Sequence, residues 1–151
     1  MKFTNSLIKG KLLKRYKRFF ADIKVNNKII TAHCPNTGSM QGLLDQGNEV
    51  LVTEHNDPKR KLKFTLEIIK AKKRYVGVNT HRANKIVNHG LENKLISEFK
   101  TIKNIKPEFK FSDDTRFDFL CDSNLIEVKN VTLFRENDIA EFPDAVTSRA
   151  V

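Results

Sequence analysis

The sequence predicts an α+β protein, with a barrel of five short β-strands at the N-terminus and a smaller half in which helices precede strands. Three observations lead there. Between Arg18 and Val78 apolar and polar side chains alternate in short runs divided by turn signals, which is the period of strands. Helical spacing of apolar residues begins only after Val78. At 151 residues the chain has room for one ordinary domain or two small ones.

Composition narrows the classes further. The chain carries 28 Lys+Arg against 18 Asp+Glu, a net charge of +10, and 39% of its residues are hydrophobic, as in globular proteins. No run approaches the ~18 apolar residues of a spanning helix. Met1 to Gly10 lack the ~7–15-residue apolar core of a secretory signal, so a cytoplasmic protein with no membrane association is expected. Cys34 and Cys121 lie far apart and form neither a CxxC nor a zinc-ligand spacing. The charge is uneven: residues 1–111 hold 24 basic and 9 acidic residues, a balance of +15, while residues 112–151 hold 4 and 9, a balance of −5.

The elements follow in order. Phe19, Ala21, Ile23 and Val25 alternate with Phe20, Asp22, Lys24 and Asn26, and Asn26-Asn27 leads into Lys28 to Ala32 as a tight hairpin. Further strands are expected at Glu49 to Glu54, Leu62 to Ile69 and Arg74 to Val78, with turns at Pro35 to Gly38 and Asn56 to Pro58. Five strands in this length fit a small barrel, of which the OB-fold is the leading form. After Val78, Thr80 can cap a helix with Ala83, Ile86 and Val87 on one face and Gly90 as its stop. A second helix is expected from Glu92 to Phe99, then strands at Ile102 to Ile105, Arg116 to Cys121 and Leu125 to Leu133. This places an OB-like domain over residues 1–80 and a second domain over 81–151.

Two basic clusters sit in the first half: Lys14, Arg15, Lys17 and Arg18, with Tyr16 between them, and Lys59, Arg60 and Lys61. Such clusters are the electrostatic footprint of nucleic-acid binding, and an aromatic beside them offers a base a stacking surface. Tyr16 is the first candidate for that surface. Phe19 and Phe20 point to opposite faces, so one can fill the barrel while the other faces outward. The Asn36 to Ser39 loop offers backbone N–H groups and hydroxyls to a phosphate. Cys34, beside His33, could be read as a nucleophile, but adjacent strand residues point to opposite faces.

The second half carries a different pattern. If Asp122-Ser123 or Ser123-Asn124 makes a two-residue turn, Asp118 on one strand meets Glu127 or Lys129 on the next. Asp118 and Glu127 then offer oxygen ligands to Mg²⁺, and Lys129 can stabilise charge on a phosphoryl group. This D…ExK spacing on a hairpin after a helix is the signature of PD-(D/E)xK nucleases.

The chain as a whole resembles the sugar fermentation stimulation proteins (SfsA). The matching stretches include Lys14 to Phe19, Thr31 to Met40, Asn56 to Leu62, Val76 to Thr80, Glu127 to Leu133 and Phe142 to Thr147, in family order from end to end. The resemblance implies an N-terminal OB-like domain, a C-terminal PD-(D/E)xK nuclease-like α/β domain, DNA binding, and a role in regulating sugar-utilisation genes. It implies Asp118, Glu127 and Lys129 as the metal and catalytic positions, with Glu98 as a fourth group. Family members continue past the Phe142 to Thr147 stretch, whereas here Val151 is the last residue. The expectation is a C-terminally truncated member whose nuclease-like domain is incomplete, leaving Val128 and Val131 without packing partners, and an inactive remnant is the corresponding alternative to a Mg-dependent nuclease.

Overall fold

The computed structural model describes residues 1–134 and 140–141. The Phe142 to Thr147 stretch lies outside them. Two compact units are present: residues 2–80 with the described residues from Asn130 onward, and Met1 with residues 81–129.

In the first unit β1 (Leu7–Tyr16), β2 (Phe20–Val25), β3 (Lys28–His33), β4 (Glu49–Glu54), β5 (Phe64–Ala71) and β6 (Arg74–Gly77) form one sheet in the order β3-β2-β1-β4-β5-β6. A parallel pairing of β3 with β5 closes the first five strands into an OB-like barrel. Five barrel strands are present as the sequence implies, but their membership differs. Sequence reading starts the barrel at Phe19 and counts Arg74 to Val78 as the fifth strand. The structure instead begins with Leu7–Tyr16 and adds β6 outside the closed ring. The first strand is hidden because its inward positions, Gly10 and Leu12, include a residue with no side chain, and lysines occupy much of the rest.

Gly10 is there for space. A Cβ at this position would sit 2.5 Å from Ile23 Cγ2 and 3.0 Å from the Lys24 carbonyl oxygen. Around it Leu12, Ile23, Val50, Val52, Leu66 and Ile69 are fully buried and fill the barrel. Cys34 and Met40 seal one side, with the Cys34 thiol 3.8 Å from Met40 Sδ. Burial pushes that thiol's pKa up, partly opposed by the Arg15 charge, so Cys34 is held as a packed neutral thiol rather than a nucleophile.

Asn36 is the buried polar hub of this unit. Its Nδ2 donates to the Val78 carbonyl and to Thr132 Oγ1, each at 3.3 Å, and its Oδ1 accepts the Gly38 N–H at 2.8 Å. These bonds tie the loop after β3 to the end of β6 and to the returning segment at residue 132. Beyond it, β10 (Leu133–Phe134) pairs with β11 (Ala140–Glu141).

The second unit holds α1 (Ala83–Glu92) and an antiparallel sheet of β7 (Ile105–Lys110), β8 (Arg116–Cys121) and β9 (Asn124–Ile126), with β8 central. Several local expectations are corrected. Thr80 does not cap the helix: its hydroxyl donates to the Pro35 carbonyl at 2.6 Å, and Arg82 precedes α1 with no side-chain cap bond. The helix runs through Gly90 rather than stopping there; a Cβ at this position would lie 3.2 Å from Ile96 Cγ1, so the glycine lets Ile96 pack close against the helix. No second α-helix follows. Lys94 takes a left-handed φ of 56°, Leu95 is 68% exposed, and only a single 3-10 turn forms at Ser97–Phe99. Among the described residues no helix is long and apolar enough to cross a membrane.

Leu91, Phe119 and Cys121 form the small core of this unit, with Val87, Ile96, Ile105, Ile126 and Val128 packed on it. Val128 therefore has partners, contrary to expectation, whereas Val131 is 39% exposed.

Gly10→Ala is expected to destabilise the barrel by about 1–3 kcal/mol through overpacking. Gly77→Ala, where nothing lies within 4 Å of the new methyl group, should change stability by no more than about 0.5 kcal/mol. Urea midpoints of the two variants check the difference.

Candidate nucleic-acid interface and carboxylate site

The first basic cluster runs up β1 into the turn before β2. Lys17 and Arg18 both adopt left-handed backbone, with φ of 47° and 62°, which is strained for residues with a Cβ. Arg15 holds them there, its Nε donating to the Arg18 carbonyl at 3.0 Å and its Nη2 to the Asn36 carbonyl at 2.7 Å. Its guanidinium is thus engaged with backbone, while Lys17 and Arg18 are exposed. Tyr16 is engaged as well. Its ring stacks on Phe20 at 5.5 Å, Lys14 Nζ lies over it at 5.2 Å, and its hydroxyl donates to Asp22 at 3.3 Å. Phe19 is the aromatic that the turn leaves outward, 43% exposed and stacked on His33 at 6.4 Å.

The second cluster occupies the loop between β4 and β5. The His55 N–H donates to the Lys63 carbonyl at 2.8 Å and closes the loop's base. Asp57 shapes the tip, accepting the Lys59 N–H on its side chain at 2.9 Å and the Arg60 N–H on its carbonyl at 3.2 Å. Arg60 reaches back to Thr65 Oγ1 at 2.8 Å, and Lys59 and Lys61 stay exposed.

The two clusters are far apart in sequence, and the barrel register sets their loops on opposite sides of one row of paired residues, Phe20, His33 and Thr65. His33 pairs with Phe20, where the β1–β2 turn ends, and with Thr65, the residue that Arg60 holds; the turn extends past the C-terminal end of β3, and the β4–β5 loop enters β5 from the opposite side, near the β2–β3 turn. In OB-folds the loops between strands 1 and 2 and between strands 4 and 5 frame the oligonucleotide-binding face of strands 2 and 3. In the Asn36 to Ser39 loop, the Gly38 N–H is already bonded to Asn36 Oδ1.

In the second unit Asp118 lies on β8 and lines a cleft of about 380 Å³ with Asn84, Asn88, His89, Glu92 and Phe119. Its carboxylate is oriented by two donors: Asn84 Nδ2 to Oδ1 and the Val128 N–H to Oδ2, both at 2.6 Å. The β8–β9 turn is Asp122-Ser123, with Cys121 paired to Asn124 and Phe119 to Ile126. Strand β9 ends at Ile126, so Glu127 and Lys129 lie beyond the ladder rather than on a strand running to Leu133. They form an exposed ion pair at 2.6 Å. Glu98 sits in the 3-10 turn, bonded to Ser97, and does not line the cleft. Among the described residues no three His, Cys, Asp or Glu side chains are grouped to hold a metal ion. Asn84 and the Val128 N–H were not legible as part of this site, since nothing in an asparagine or a peptide group marks it before the helix and sheet are packed.

Residues 13–78 match the family model described as the SfsA N-terminal OB domain, and residues 81–151 match the sugar fermentation stimulation protein RE domain. A sugar fermentation stimulation protein homolog of Pelagibacter ubique (strain HTCC1062) is 65% identical across 99% of this chain, and one of Alteromonas mediterranea is 45% identical across 99%. The chain belongs to the sugar fermentation stimulation protein family. It spans about two thirds of the length of these relatives, 66% and 67% respectively. The solved structure of Pyrococcus furiosus SfsA in complex with Ca²⁺ has the same fold, with a TM-score of 0.79 at 22% identity over 99% of this chain and 64% of that one.

One carboxylate outside the family's motif controls the hairpin that carries Asp118. Asp122, at φ 50°, accepts the Lys103 and Asn104 N–H groups at 3.1 and 3.0 Å and Asn104 Nδ2 at 3.1 Å. The Lys103 N–H, followed by the Asn104 groups, holds its pKa below the usual carboxylate range. Because the folded-state pKa is depressed, this stabilisation is complete above the unfolded value of about 3.9 and is lost as pH falls through the folded one. Amide exchange at Lys103 and Asn104 is expected to accelerate over that acidic window in the native chain. In Asp122→Asn it should already be faster at neutral pH.

Proposed function

We propose that this chain is a DNA-binding protein that grips the phosphate backbone with the two basic loops of its OB-like barrel. The observation that carries the reading is that the two basic loops flank the β2–β3 face from either side of the Phe20–His33–Thr65 row, the arrangement in which OB-folds bind oligonucleotides. Lys17, Arg18, Lys59 and Lys61 are exposed cations on these loops. Arg15 and Arg60 shape the loops from beneath, through their bonds to Asn36, Arg18 and Thr65, and Lys14 and Tyr16 brace the approach strand. Each neutralised phosphate releases condensed counterions, so affinity should fall steeply with salt. Fluorescence anisotropy with labelled DNA across a salt series is expected to give a linear log–log plot. Replacing Lys17, Arg18, Lys59 and Lys61 together by glutamine should flatten its slope by about 3, at ~0.7–0.9 per lost contact. Affinity that is independent of salt in the native chain would overturn the reading.

A second reading has its own support in Asp118, whose carboxylate two N–H donors aim within a cleft. Asp118 and Glu127 supply oxygen donors only, which suits a hard cation such as Mg²⁺ that uses one or two carboxylates and keeps water. The Pyrococcus furiosus protein was solved in complex with Ca²⁺, another oxygen-seeking cation. When bound, such an ion supplies charge neutralisation at a phosphoryl group. The chain's own residues would contribute a fixed carboxylate at Asp118, held by Asn84 and Val128, a second at Glu127, and a positive charge at Lys129 beside it. Incubation with plasmid and Mg²⁺ is expected to nick the DNA, and Asp118→Asn or Glu127→Gln should reduce the rate at least about 100-fold, as loss of charge-stabilising groups does elsewhere. Intact plasmid at every Mg²⁺ concentration would remove nuclease chemistry while leaving DNA binding in place.

A further inference from the structure

We propose that Phe19 is a base-stacking platform, and that the interface therefore selects single-stranded nucleic acid. This rests on the DNA-binding reading and names the form of its ligand. Three aromatics surround the β1–β2 turn, and two are already satisfied. Tyr16 and Phe20 stack on each other, and Lys14 lies over the Tyr16 ring. Phe19 instead keeps 43% of its surface in solvent, in the same turn as the exposed Lys17 and Arg18.

Its backbone is fixed on both sides. The Phe19 N–H donates to the Lys17 carbonyl at 2.7 Å, and its carbonyl accepts the Cys34 N–H at 2.8 Å. The His33 ring backs it at an interplanar angle of 28°. Lys17 and Arg18 are left-handed, and Phe19 follows them in the turn just before β2 begins at Phe20. A turn that accepts this strain and exposes a braced aromatic ring beside exposed Lys17 and Arg18 has the parts of a single-strand site. These are a flat apolar face for a base, with ammonium and guanidinium groups for the flanking phosphates. In a duplex the base faces are covered by their neighbours, so such a ring finds a partner only where bases are unpaired.

The chain contains no tryptophan, so Phe19→Trp introduces a single fluorescent reporter at the proposed platform. Titration with a dT oligonucleotide is expected to quench it saturably, while an abasic oligonucleotide of the same length, with the same phosphates and no bases, should not. In the native chain the dT strand should bind more tightly than the abasic strand and than a duplex of equal phosphate count. Phe19→Ala should weaken dT binding about 5- to 150-fold, the range of one lost base–aromatic stack, and leave abasic binding and its salt slope unchanged. Equal affinity for dT and abasic strands, an unquenched Phe19→Trp reporter, or a preference for duplex overturns the stacking proposal while the DNA-binding reading stands. Failure of every strand to bind overturns both.

Discussion

Two parallel residue pairs, Ala32 with Phe64 and His33 with Thr65, decide what the first unit can do. They join β3 to β5 and turn a six-stranded sheet into a closed barrel with β6 outside it. Closure removes two open strand edges and seals Leu12, Ile23, Val50 and Leu66 from water. It also sets the β4–β5 loop, with Lys59, Arg60 and Lys61, and the turn bearing Lys17 and Arg18 on either side of the β2–β3 face.

The interface is supported from beneath by groups that never face solvent fully. Asn36 bonds to Gly38, Val78 and Thr132, and Arg15 bonds to the Asn36 carbonyl and to the strained turn. A buried polar group costs stability unless it is bonded, and Asn36 satisfies that condition by linking three segments distant in sequence. The consequence is a division of labour inside one basic cluster. Arg15 has the fork geometry to clamp carbonyls and holds the turn, while the more mobile lysines remain outside. In the second unit Asn84 and the Val128 N–H play the corresponding part for Asp118, fixing a carboxylate that a surface ion pair would leave loose.

Much of this was legible in the sequence because strands alternate with period two wherever one face is buried. The β2–β3 hairpin around Asn26-Asn27, the strand at Glu49–Glu54, and Arg116–Cys121 follow directly from that alternation. Legibility failed where the pattern depended on a neighbour. Gly10 faces inward but shows no hydrophobic signal, so β1 was hidden. The apolar spacing of Leu95 and Phe99 suggested a helix, yet Lys94 turns left-handed and Leu95 points to water. Strand β9 stops at Ile126 because its neighbour β8 pairs no further along it, which no local propensity foretells.

The sequence by itself determined an α+β chain with an OB-like first half, the two basic clusters, and the Asp118, Glu127 and Lys129 pattern, since charge and periodicity are properties of residues in order. Tertiary structure decided which of those residues face outward. The Tyr16 ring was covered by Phe20 and Lys14, Arg15 went to backbone carbonyls, and Phe19 was left on the surface against His33. Exposure is settled by packing and hydrogen bonding between segments that meet only once the barrel closes. For that reason the charge of the two loops could be read from the chain, but which aromatic stays on the surface could not.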